Sequence, residues 1–313
     1  MQLIESETAF LFPGQGSQKI GMGSELAAAF PRAKAVFHQA DEWLDISLSG
    51  ISWQGPEDVL NDTVNTQPAL LVHSIAALRI FKDRIGSFKP AFVAGHSMGE
   101  FSALVASGSL SFLDTLSLVR RRGELMRNAG EENPGGMAAI LGLKLNTVEE
   151  ICSEVSQPDE IVQVANDNCP GQVVISGAKK ALERAVNLAE IAGARRVIKL
   201  AVSIAAHSPL MALAQTDFNN AVGKAPIKSP DISIIGNVNA SPLTSAADIV
   251  ADLQSQLFSR VRWMETINYM ISNGVDTFIE FGSGTVLTGL LKRINRNVTG
   301  ISIGNPEDFE SLN

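Results

Sequence analysis

The sequence predicts an α/β protein in which a helix-covered parallel sheet is interrupted by a smaller unit with its own rhythm. Two observations carry this. Short apolar runs, mostly β-branched or aromatic, alternate with stretches of helical period along the chain. Several of those runs stop at Gly, Asn or Ser, and the alternation implies parallel βαβ units with both faces of the sheet covered.

In chain order, Thr8-Ala9-Phe10-Leu11-Phe12 is a strand closed by Pro13-Gly14. Residues 67–81 place Leu70, Leu71, Ser74, Ile75 and Leu78 on one helical stripe. Ala91-Phe92-Val93-Ala94 is a second strand, stopped by Gly95, and residues 113–129 form the next helix. A polar break follows, Glu131-Glu132-Asn133-Pro134-Gly135-Gly136. Beyond it the order is strand 137–141, helix 146–154, strands 161–164 and 172–176, helix 179–192 and strand 196–202. This βαββαβ order is the ferredoxin-like pattern. The larger pattern then resumes: helix 209–222 starting at Ser208-Pro209, strand 232–235, helix 261–272, strand 277–281, helix 286–293 and strand 298–303. The expected domains are therefore a discontinuous catalytic one, residues 1–131 and 201–313, and a small inserted one, residues 132–200.

Composition bounds the function. The chain has 313 residues, 45% apolar and 19% charged, which is globular usage. Lys+Arg 25 against Asp+Glu 33 gives a net charge of −8, which argues against nucleic-acid binding. Glu5 and Glu7 stand where a signal peptide would be basic, and the longest uncharged run, residues 200–216, is too short and polar to span a membrane. No membrane association is expected. Cys152 and Cys169 are too few for a disulfide framework, and the four histidines lack metal-ligand spacing, so no metal is expected and a reducing, cytoplasmic setting fits.

The chemistry centres on Gly95-His96-Ser97-Met98-Gly99, a GxSxG sequence between an apolar run and a stretch of helical composition. That is the setting of a nucleophile elbow, where Ser97 projects its hydroxyl at a helix N-terminus; a plain serine-capped glycine turn is the alternative. A serine needs a base. His96 adjoins Ser97 and points elsewhere on such a turn, His38 lies in a polar amphipathic stretch, and His73 lies in an apolar one as a partly buried structural residue. His207, in a loop beyond a strand, is the best candidate. A second glycine-rich loop, Phe12-Pro13-Gly14-Gln15-Gly16-Ser17-Gln18, fails the dinucleotide pattern at Lys19 and suits a backbone donor loop, with the Gln15 N–H completing an oxyanion hole.

These loops occur in one order with Gln67-Pro68-Ala69, Gly95–Glu100, Arg122-Gly123, Pro170-Gly171-Gln172-Val173-Val174-Ile175-Ser176-Gly177, His207-Ser208-Pro209-Leu210-Met211 and Gly284-Thr285-Val286-Leu287-Thr288-Gly289-Leu290. The series resembles the malonyl-CoA:acyl carrier protein transacylase family over about residues 8–303. The resemblance implies an α/β-hydrolase-like large domain with a ferredoxin-like small domain. It implies ping-pong transfer of malonyl from coenzyme A, through Ser97, to the phosphopantetheine thiol of acyl carrier protein. It implies His207 as base, Gln15 and Met98 backbone N–H groups as the oxyanion hole, and Arg122 and Gln67 as substrate-binding residues. A backbone carbonyl at or near Ser259 would orient the histidine. No cofactor is implied, and a monomer is expected. Ser259-Arg260 stand where the family often has Asn-Pro, and Ala205-Ala206 leave the acyl size open.

Arg120, Arg121 and Arg127 are expected on a solvated helix face. Candidate basic patches for the acidic partners are Lys179-Lys180, Arg195-Arg196 with Lys199, and Lys292-Arg293 with Arg296. The alternatives are a serine thioesterase or esterase, a non-catalytic partner-binding subunit, and a trans-acting polyketide acyltransferase.

Overall fold

Strand β1 (Thr8–Phe12) forms at the centre of a sheet and is buried along its whole length. The computed structural model describes residues 3–200, 202 and 204–312. Beside β1 lie β2 (Phe92–Gly95) on one side and, numbered later in the chain, β9 (Thr277–Phe281) on the other, both parallel to it. With β7 (Ser233–Ile235), β8 (Pro242–Leu243) and β10 (Thr299–Ile303), the order is β10-β9-β1-β2-β7-β8. Only the β7–β8 pair is antiparallel. Chain connections diverge to either side of β1, so a crevice opens beyond the C-terminal ends of β1 and β2.

Phenylalanines lock this end of the sheet. Phe10, Phe81 and Phe281 meet edge-on with ring centroids 4.9–5.4 Å apart, tying β1 and β9 to the helix Thr63–Ile85. Each such pair contributes about 0.5–1.5 kcal/mol beyond its buried area. That helix starts at Asp62, whose side chain accepts from the Val64 N–H. It also tolerates Pro68 in its second turn. Proline supplies no N–H to the Val64 carbonyl one turn back, and Arg120 Nη1 donates to that carbonyl at 3.1 Å instead. Arg120 is thus a half-buried partner of the neighbouring helix, not a residue of the solvated face expected for it.

The second sheet comprises β3 (Gly135–Leu141), β4 (Val162–Cys169), β5 (Gln172–Ala178) and β6 (Arg196–Lys199), in the order β4-β5-β3-β6 with every pair antiparallel. The helices Leu145–Val155 and Lys179–Ile191 cover it, and Ile140, Ile151, Ile175 and Leu182 form part of its own core. The expected strand 196–202 ends at Lys199; its Ala201, and Ser203 of the loop that follows, lie outside the described residues, as do residues 1, 2 and 313.

The two sheets are stitched together. Strand β4 carries two bulges, between Val164 and Asn166 and between Asp167 and Cys169. There Asp167 N–H donates to the Val261 carbonyl at 3.0 Å, and Val261 N–H to the Ala165 carbonyl at 2.8 Å. This bridge occupies Val261, so the helix expected over 261–272 begins at Trp263. Arg260 pairs with Glu149 at 2.6 Å across the same seam. No helix among the described residues is long and apolar enough to cross a membrane.

Candidate active site

The turn after β2 places Ser97 at φ 52°, a left-handed conformation unusual for a residue with a side chain, before the helix Gly99–Ala106. The flanking glycines permit it by close approach. A Cβ on Gly95 would lie 1.9 Å from the Gly99 carbonyl carbon, and one on Gly99 would lie 2.1 Å from the Phe12 carbonyl oxygen. Asn237 pins both sides of the turn: its Oδ1 accepts from Ser97 N–H and its Nδ2 donates to the Gly95 carbonyl, each at 2.8 Å.

His207 meets this serine, its Nε2 2.8 Å from Ser97 Oγ. Nδ1 faces two main-chain oxygens, Gln256 O at 2.9 Å and Ser259 O at 3.0 Å. Carbonyls only accept, so Nδ1 carries the proton and Nε2 presents its lone pair to the serine hydroxyl. Burial, then the Arg122 charge, pushes the imidazole down from 6.5 to about 3, which keeps it neutral at neutral pH. Gln163 of β4 secures the loop by donating to the His207 and Phe258 carbonyls, both at 2.9 Å.

Arg122 projects from the helix Phe112–Glu132 and is 1% exposed. It donates to Ser97 Oγ at 3.2 Å, Gln67 Oε1 at 2.7 Å and Gln256 Oε1 at 2.9 Å. Burial lowers its pKa to about 10, so it remains a cation, yet no carboxylate pairs with it among the described residues. Gln67 is fully buried behind the arginine and is held by Thr63 Oγ1 at 2.7 Å; it is not among the residues that line the cavity.

A cavity of about 330 Å³ opens over these groups, lined by Gln15, Ser97, Met98, Arg122 and His207 on its polar side and by residues such as Met126, Met137 and Ile204 on its apolar side. The N–H groups of Gln15 and Met98 have no acceptor among the described residues. The arrangement is that of an activated hydroxyl beside a buried cation, with one free amide at a helix start and one in the loop after β1.

Of the remaining histidines, His96 lines the same cavity but turns its ring nitrogen to another residue. His96 bonds Asn168 Oδ1 at 2.8 Å, His38 is an exposed partner of Glu42, and His73 is fully buried, not partly, with Nε2 2.8 Å from the Gly304 carbonyl. Arg121 and Arg127 lie on the expected solvated face, where they pair with Asp217 and Asp62. Arg293 donates to Gln172 and Pro170, anchoring its helix to the β4–β5 turn. Sequence reasoning missed Asn237, Gln163 and Gln256. Each is a neutral amide whose partners are distant in the chain, and only the quoted Glu100, which accepts from Gln256, hinted at this network. Among the described residues no cluster of three or more His, Cys, Asp or Glu is placed to hold a metal.

Known proteins share this architecture. The family described as acyl transferase domain matches residues 9–303. The chain is 48% identical over 305 residues to a malonyl CoA-acyl carrier protein transacylase of Bacillus subtilis, covering 97% of this chain and 96% of the relative. It superposes on an acyl carrier protein S-malonyltransferase from Vibrio cholerae with a TM-score of 0.94 at 39% identity, covering 98% of this chain and 100% of the other. It matches equally well, with a TM-score of 0.94 at 40% identity over 97% and 98% of the two chains, a malonyl-transacylase solved in complex with its type II PKS acyl-carrier protein. The chain belongs to the malonyl-CoA:acyl carrier protein transacylase family.

Proposed function

We propose that the protein is an [acyl-carrier-protein] S-malonyltransferase, moving malonyl from coenzyme A to the phosphopantetheine thiol of acyl carrier protein for fatty acid synthesis. The observation that carries this reading is the buried, unpaired guanidinium of Arg122, 3.2 Å from Ser97 Oγ. A buried cation is costly unless a counter-charge joins it, and a substrate carboxylate supplies one in a bidentate grip.

Each half of the ping-pong cycle uses the same groups. Ser97 Oγ attacks the thioester carbonyl carbon while His207 Nε2 takes its proton. The oxyanion forms against the Gln15 and Met98 N–H groups. The C–S bond then breaks, and His207 returns the proton to the departing coenzyme A sulfur. The carrier's thiol reverses these steps: His207 takes its proton, the sulfur attacks the ester, and Ser97 leaves as the protonated hydroxyl. The Gln256 and Ser259 carbonyls hold the histidine where a carboxylate would otherwise do so, which sets this site apart from a serine thioesterase built on an acid partner. Gln67 supports the substrate's carboxylate through Arg122. The chemistry needs no cofactor and no metal.

In this reading the large sheet and its helices, residues 1–131 and 201–313, form an α/β-hydrolase-like domain, and residues 132–200 a ferredoxin-like one. The small sheet's order, with its two helices on one chain segment, supports that division. All site residues come from one chain, which suits a monomer, and two unpaired cysteines suit the cytoplasm. The test is a mass spectrum of intact protein after brief exposure to malonyl-CoA. Wild type gains one malonyl group and passes it to added holo carrier protein, and Ser97→Ala gains none. Rapid hydrolysis without thiol transfer would favour the thioesterase.

A further inference from the structure

Beneath the elbow, two carboxyl groups are buried together. Glu100 is 0% exposed and Asp252 6%, and neither has a cation partner among the described residues. They sit on consecutive amides, Asn237 N–H donating to Glu100 Oε1 at 3.2 Å and Val238 N–H to Asp252 Oδ1 at 3.3 Å. Two carboxyls buried side by side without a cation do not both ionise, so one of them keeps its proton. Asp252 Oδ2 meets no N–H or hydroxyl donor, which leaves a carboxyl O–H to satisfy it.

The pair is one amide away from both reactive groups. Glu100 Oε2 accepts from Gln256 Nε2, whose Oε1 accepts from Arg122 at 2.9 Å. The main-chain oxygen of Gln256 accepts from His207 Nδ1 at 2.9 Å. Asp252 lies one turn earlier on the same helix, Ala246–Gln256. With an N–H turned to Glu100, the Gln256 amide can present only its oxygen to the guanidinium.

We propose that Glu100 is a positioning residue for acyl transfer: as the proton-bearing member of a Glu100–Asp252 pair it fixes the Gln256 amide toward Arg122 while leaving the guanidinium without an internal counter-ion. Burial and the adjacent Asp252 charge both raise the Glu100 carboxyl well above the usual range, consistent with that proton. An ionised Glu100 would stabilise the Arg122 charge and compete with an acyl carboxylate for it. This rests on Arg122 being the group that binds malonyl.

The experiment moves the charge within the pair. Asp252→Asn removes the like charge and lets Glu100 ionise. The malonyl-CoA KM is expected to rise by about tenfold or more, the weight of one charge-assisted hydrogen bond, with kcat and acetyl-CoA kinetics little changed. Adding Glu100→Gln, whose amide cannot ionise, to Asp252→Asn brings the KM back toward the wild-type value. Infrared difference spectra at neutral pH show a protonated-carboxyl band in wild type that Glu100→Gln lacks, a readout needing neither substrate nor an active variant. Losses that add in the double variant, or a spectrum without that band, would overturn the proposal. A wild type that never loads malonyl fails the functional reading; one that loads while the band is absent fails the pair alone.

Discussion

The hydroxyl of Ser97 touches a neutral imidazole and a cation at once, 2.8 Å from His207 Nε2 and 3.2 Å from Arg122 Nη2. In the proposed cycle the first contact activates the oxygen and the second marks where a carboxylate would sit. A hydrogen bond to a charged partner is worth about 1.5–3 kcal/mol, or about 10- to 150-fold in preference. Arg122→Ala is therefore expected to lower malonyl transfer by that factor while acetyl transfer holds or rises, measured as kcat/KM on the two coenzyme A esters. Equal loss on both would make the arginine structural. The serine and its histidine were legible in the sequence because a motif between two glycines and a count of four histidines confined the choice. Arg122, Gln67, Met98 and Ser259 were reached only through the family resemblance. Asn237 and Gln256 were not reached at all, since a neutral amide carries no sign of its partner until the fold brings Gly95 or Arg122 beside it.

At the scale of elements, most strands were legible to within a few residues because each is a short apolar run with a turn signal at its end; the strand expected over 161–164 instead runs on through Asn166-Asp167-Asn168 to Cys169, where polar residues hid it. Departures have local causes. The start of the expected helix 261–272 was lost to backbone pairing with β4, and the two-residue strand Pro242–Leu243 is too short to show a pattern. The helix Ala246–Gln256 was missed although Ser245 and Asp248 form a capping box at its start. Strand β4 does more than complete its sheet, because Gln163 holds the His207 loop to the segment that supplies the histidine's acceptor. Two hydrogen bonds at about 0.5–1.5 kcal/mol each are lost in Gln163→Ala. In the proposed cycle the resulting misplacement of His207 lowers kcat by up to about a hundredfold, with little change in malonyl-CoA KM. A fall in thermal stability with kcat intact would reduce Gln163 to a structural tie.

For the whole molecule, buried histidines set an acid limit. Burial depresses His207 to about 3 and His73 to about 4, against 6.5 when exposed. Below pH 6.5 the unfolded chain takes up protons that the folded one refuses, so their stability contribution, whole above that pH, falls as pH drops toward the folded values. Glu100, Asp252 and Glu280, raised by burial, act in the opposite sense. The comparison of wild type with His73→Gln isolates the histidine: the urea midpoint of wild type drops more between pH 7 and pH 5 than that of the variant, and identical drops would refute the assignment. The seam between the sheets has a consequence of another kind. Backbone pairing at Val261, the Arg260–Glu149 pair and the Gln163 contacts tie the small sheet to the His207 loop and to the segment that supplies the histidine's acceptors. A disturbance in the small sheet is therefore transmitted to the imidazole through that seam.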